Sequence, residues 1–149
     1  FNCNGIWYDY FLNCFGSNLL IMVEQITKGI KVSVETHFEG AFSKNSEVFY
    51  AFGYTITITN NSSDTVKLLS RYWTIYDSLN DIEQVTGEGV IGKKPVLKPG
   101  DHHQYTSGCL LKSPFGAMNG YYTMINFSNS TQFQVVIPTF KLNSKFNLN

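Results

Sequence analysis

The run from Val48 to Thr59, VFYAFGYTITIT, constrains the fold more than any other stretch of this chain. Val48, Tyr50, Phe52, Tyr54, Ile56 and Ile58 fall at every second position, with Phe49, Ala51, Gly53, Thr55, Thr57 and Thr59 between them. Successive side chains of a strand point to opposite faces, so a period of two makes this a half-buried strand. Aromatic and β-branched residues suit the pleated surface of a sheet. Ile30, Val32 and Val34 repeat the pattern against Lys31, Ser33 and Glu35. Residues 39–47, between the two runs, read as a loop.

Further strands are expected over 65–76, 102–107, 118–127 and 132–142, with 82–86 as a short hairpin partner. Clusters of Asn, Ser and Asp at 60–64, 77–81 and 128–131 read as the turns between them. Pro138 lies inside the last run and lacks a ladder N–H, which directs that strand to an edge or a bulge. No 3.6-residue periodicity persists beyond two turns. About seven strands without a helix predict an all-β fold, an antiparallel sandwich in the immunoglobulin or fibronectin type III style. The length of 149 residues suits one domain with a sizeable core. No run reaches the roughly 18 apolar residues that a transmembrane helix needs. A formal net charge of zero points to no nucleic-acid partner.

Residues 1–21 differ from the rest, with six aromatics and Asp9 as the one charge. They have no basic start, and Asn2, Asn4, Asn13 and Asn18 interrupt their apolar positions, unlike a secretory signal. Met22 opens a segment of ordinary charge density. The expectation is a domain over 22–149 that starts at Met22, with 1–21 an atypical and non-native segment. Three cysteines, Cys3, Cys14 and Cys109, make no disulfide framework. Cys109 reads as a small buried apolar residue in a reducing compartment, so the expected location is cytoplasmic.

Between Gly87 and Gly108 lie five of the twelve glycines and two of the four prolines. Gly87, Gly89 and Gly92 spell G-x-G-x-x-G. A dinucleotide site needs a helix after those glycines to hold the pyrophosphate, and an acid about 20 residues on. Here Lys93, Lys94 and Pro95 follow instead, and no acid stands beyond Asp101. The dinucleotide fold is excluded; a glycine-rich nest with Lys93 and Lys94 as cations stays open as an anion site. His102 and His103 are neighbours on an expected strand, so they face opposite ways and cannot jointly chelate an ion without a bulge. No metal and no cofactor is expected. No nucleophile elbow, P-loop or zinc-protease motif occurs, and Asp101, His103 and Ser107 on one short strand cannot converge as a triad. The chain is not expected to be an enzyme.

From Arg71 onward, linked motifs line up with one family. They are Arg71-Tyr72-Trp73, Gly87-x-Gly89-Val90-x-Gly92, Pro95-x-Leu97-x-Pro99-Gly100 and Tyr105-Thr106-Ser107-Gly108. Pro114-x-Gly116-x-Met118-x-Gly120-x-Tyr122-x-Met124 and Ile137-Pro138-x-Phe140 complete the series. In order and spacing these resemble the ApaG family, over essentially Met22 to Leu142. The resemblance implies a fibronectin type III-like sandwich, a protein-interaction role and an association with Co²⁺/Mg²⁺ efflux. It implies no established catalysis. It carries a pyrophosphate site onto Gly87, Gly89 and Gly92 as the alternative function. His103 stands where the family pattern has a non-His residue, so the His pair is no family metal site. Arg71, Trp73, Tyr105, Thr106 and Ser107 are the candidate contacts for an unidentified protein partner.

Overall fold

The computed structural model describes residues 21–144, and all their regular structure is strand. The strands are β1 (Ile21–Thr27), β2 (Ile30–Lys44), β3 (Glu47–Asn60), β4 (Val66–Asp77), β5 (Glu83–Glu88), β6 (Val96–Leu97), β7 (His102–Leu111), β8 (Phe115–Asn126) and β9 (Thr131–Asn143). One sheet has the order β1-β2-β3-β7; the other has β5-β4-β8-β9, with β6 also paired to β4. Every pairing is antiparallel. The expected all-β sandwich is present, with nine strands in place of about seven. The additions are β1, whose Ile21 pairs with Thr36, and the two-residue β6. Residues 1–20, and with them nearly all of the atypical segment, lie outside the described residues.

The expected loop at 39–47 is instead the end of a long hairpin. β2 and β3 stay paired to Lys44 and Glu47, around a turn of Asn45 and Ser46 with φ of 52° and 65°. Two left-handed residues give the turn shape whose twist matches a hairpin. A bulge between Phe38 and Gly40 breaks the alternation there, which hid the strand. Pro138 behaves as its chemistry requires: β9 is an edge strand, and its register against β8 shifts where Pro138 and Thr139 face Asn119.

The core lies between the sheets. Ile30, Val32, Val34, Phe52, Tyr54, Ile56 and Ile58 meet Trp73, Ile75, Met118, Tyr122, Met124 and Phe140 across it. The alternation expected for β3 holds from Phe52 to Ile58 and weakens before it. Val48 is 47% exposed and Tyr50 half-buried, while Phe49 is buried with Phe42 stacked on its ring. Cys109 is buried, matching its expected apolar character. None of the described residues forms a helix long and apolar enough to cross a membrane.

Candidate functional site

The site begins with an irregularity in β4. A bulge between Leu68 and Ser70 inserts one residue opposite β8. Before it Val66 and Leu68 face the core; after it the odd positions do, so Trp73 and Ile75 are buried. The shift carries Arg71 to the inner side with them, opposite Tyr122 on β8.

Arg71 meets the glycine loop there. β5 leaves β4 after Glu88, and the chain returns to the same strand at β6. Gly89 N donates to Leu69 O at 2.8 Å and Leu68 N to Pro95 O at 3.0 Å, closing both ends of the excursion. Between them Val90 and Lys93 exchange backbone bonds of 2.8 and 3.1 Å around Ile91 and Gly92. Both enclosed residues are left-handed, at φ 47° and 69°. Arg71 Nη1 donates to Glu88 O at 2.9 Å and to Gly89 O at 2.8 Å. The glycines make room for this. A Cβ on Gly87 would lie 2.7 Å from Arg71 Cζ, and one on Gly89, itself at φ 59°, would collide with the Lys93 carbonyl oxygen.

Behind the guanidinium, Tyr105 of β7 and Tyr122 of β8 share a hydrogen bond between their hydroxyls, joining the two sheets. Burial pushes both phenols well above the ordinary tyrosine value, and the Arg71 charge opposes that only in part. His103 is half-buried with its ring stacked 6.2 Å from that of Tyr105. Desolvation, then the nearby Lys93 and His102 charges, lower its pKa. Lys94 Nζ lies 2.7 Å from Glu88 Oε2 and lowers that carboxyl's pKa.

The structure therefore unites Arg71, Gly87, Gly89, Tyr105 and Tyr122, with Lys93 and His103 beside them. The loop directs two carbonyls inward at a cation, and the N–H groups of Gly89, Val90 and Lys93 are bonded to backbone. The expected partner contacts do not share one surface. Trp73 is 2% exposed, 5.6 Å from the Tyr54 ring and 5.9 Å from that of Phe140. Tyr105 is also buried, and Ser107 is half-buried. Thr106 lies on the outer face, where its hydroxyl bonds that of Thr55 at 3.0 Å. His102 is exposed and His103 half-buried, as opposite faces of β7 require. Among the described residues no group of three His, Cys, Asp or Glu side chains could hold a metal ion.

Sequence reasoning missed Asn60, read only as part of a turn cluster. It is fully buried and donates from Nδ2 to Asp64 O at 2.7 Å and Leu97 O at 2.9 Å. Its Oδ1 accepts from Ser62 N and Ser62 Oγ. This one amide ties the β3–β4 turn to β6, where the glycine excursion ends. Periodicity carries no signal for it, because an asparagine in a turn cluster is ordinary composition.

The profile of the ApaG domain family matches residues 40–126. Protein ApaG of Brucella abortus strain S19 is 46% identical over 121 residues, covering 81% of this chain and 92% of that protein. Protein ApaG of Mesorhizobium japonicum is 47% identical with the same coverage. A crystal structure of an ApaA protein from Bordetella pertussis is 38% identical, with a TM-score of 0.71, covering 76% of this chain and 92% of that one.

Proposed function

The chain belongs to the ApaG domain family, and from that premise we propose that it is a non-enzymatic, cytoplasmic binding module. It acts through a protein partner, and its part in Co²⁺/Mg²⁺ homeostasis is indirect. The observation that carries this reading is how Arg71, Tyr105, Tyr122 and the glycine loop are spent. They bond to one another inside the sandwich, so their chemistry maintains a shape. Phenols held far above neutral pKa by burial do not exchange protons near pH 7, whereas a general acid or base must. The test is capture of partners by the tagged chain, followed by reconstitution with each candidate purified. A saturable one-to-one complex is expected. If no purified candidate binds at micromolar concentration, the proposal fails.

A second reading, a pyrophosphate or nucleotide site at the Gly87–Lys94 loop, draws support from one observation. Lys93 is close enough to the half-buried His103 to lower its pKa, which puts one lasting cation beside the turn with a neutral imidazole next to it. Backbone amide shifts of residues 87–94 under millimolar pyrophosphate, with and without Mg²⁺, test it. Unmoved amides end it.

A further inference from the structure

Two turns meet at the end of the sandwich away from the glycine loop, 78–82 and 112–114, with Glu47 and Phe49 of β3 beside them. Lys112 N donates to Asp77 Oδ2 at 2.7 Å, Ser78 Oγ to Ser113 Oγ at 2.8 Å, and Ser78 N to Phe115 O at 3.2 Å. These bonds make one surface of them. A shallow cleft in it is lined by Phe49, Leu110, Asp77, Asp81, Glu83 and Lys112, among others. Its charged lining is three carboxylates against one ammonium, and that ammonium lies 3.9 Å from a fourth carboxylate, Glu47.

Exposed apolar side chains flank the cleft-lining Asn80 and Asp81 in sequence. Of the twelve exposed large hydrophobics among the described residues, six lie toward this end of their elements, with Val48 and Tyr76 on the strand faces opposite the cleft-lining Phe49 and Ile75. Leu79 is 75% exposed and Ile82 60%, on either side of Asn80 and Asp81. Single exposed apolar residues are ordinary, but two strongly exposed ones bracketing a charged cleft mark an interaction surface. The excess of one sign selects a partner of the other, because like charge brought against it is strongly unfavourable.

We infer that this end docks a basic amphipathic segment of a protein partner. An arginine or lysine enters the cleft of Asp77, Asp81 and Glu83, and neighbouring apolar side chains cover Leu79 and Ile82. The inference rests on the binding-module reading and names the class of partner.

The experiment titrates the full ¹⁵N-labelled chain with a short peptide of alternating arginine and leucine. Two control peptides replace arginine by glutamate or leucine by serine. Amide shifts are expected at residues 47–49, 77–83 and 110–115, with binding that weakens as salt screens the exposed charges. Each control peptide is expected to bind at least about tenfold more weakly, as is the first peptide to Asp81→Lys or to Leu79→Ser with Ile82→Ser. These side chains are exposed, so an unchanged spectrum elsewhere confirms the fold of each variant. Equal binding of the arginine and glutamate peptides, shifts on other faces, or full affinity in Asp81→Lys overturns the inference. Self-association through the same residues, in place of peptide binding, also overturns it. A partner captured from cells that binds Asp81→Lys and Leu79→Ser unchanged defeats this surface and leaves the binding module standing. Failure of every partner, with the peptide still bound here, defeats the module alone.

Discussion

Arg71 is held where a β-strand of strict alternation would not put it, and the glycine loop depends on it. Replacing it by methionine removes two charge-assisted bonds to Glu88 O and Gly89 O while keeping much of the packing volume. Such bonds contribute about 1.5–3 kcal/mol each, so a loss of roughly 3 kcal/mol is expected in urea unfolding of Arg71→Met. Lysine lacks the planar fork, so Arg71→Lys is expected to restore only part of it. The hydroxyl pair behind Arg71 gives a pH prediction. With folded-state pKa values raised above 10, Tyr105 and Tyr122 stay protonated while the unfolded chain ionises. Stability is intact below about pH 10 and falls as pH rises from there toward the folded values. Urea midpoints on both sides of that pH check the sign. The decline is expected to be smaller in the double variant Tyr105→Phe, Tyr122→Phe. Asn60→Ala strands one buried and two part-buried partners at once, at about 1–3 kcal/mol for a fully buried one and less for the others, and is expected to cost about 3 kcal/mol in the same measurement.

At the scale of elements, turns and bulges decide what the strands present. Ser46 sits at φ 65° in the β2–β3 turn, a conformation that costs an L-residue about 1–2 kcal/mol and glycine almost nothing. Thermal or urea unfolding of Ser46→Gly is expected to show a gain of about 1 kcal/mol. Gly89→Ala goes the other way, because the left-handed backbone and the Lys93 carbonyl both exclude a methyl group. It is expected to loosen the loop, read as faster amide exchange at 89–93. These elements also show where sequence stops being informative. The alternation in Ile30–Val34 and Phe52–Ile58 is a local consequence of one buried face, so two strands and their orientation were legible. The bulges at Leu69 and near Glu39 are set by the neighbouring strands, and no local pattern announces them. Tyr105 and Arg71 could be singled out as unusual, but their burial followed from a register that only the assembled sheet defines. The glycine run was legible as a loop without a helix, yet its anchor lies on another strand.

Across the whole molecule the pairings are far apart in sequence: β3 closes on β7 and β4 on β8. Such non-local topologies must close long loops before the contacts reward them, and they fold in milliseconds to seconds. Stopped-flow refolding of a Trp7→Phe chain, followed by Trp73 fluorescence, is expected to fall in that range, and a microsecond phase carrying the full amplitude would contradict it. The division of labour between the two ends follows from the same architecture. The flank with Arg71 spends its polar groups internally, whereas the end with Asp77 and Ser78 bonded internally still turns Leu79, Asp81 and Ile82 outward. Arg71 grips Glu88 and Gly89 by their carbonyl oxygens, and every amino acid possesses one of those. The grip is therefore blind to the side chains at Ile91, Lys93 and Lys94. That segment is a cassette: its lettering can be rewritten while the frame that displays it stays the same.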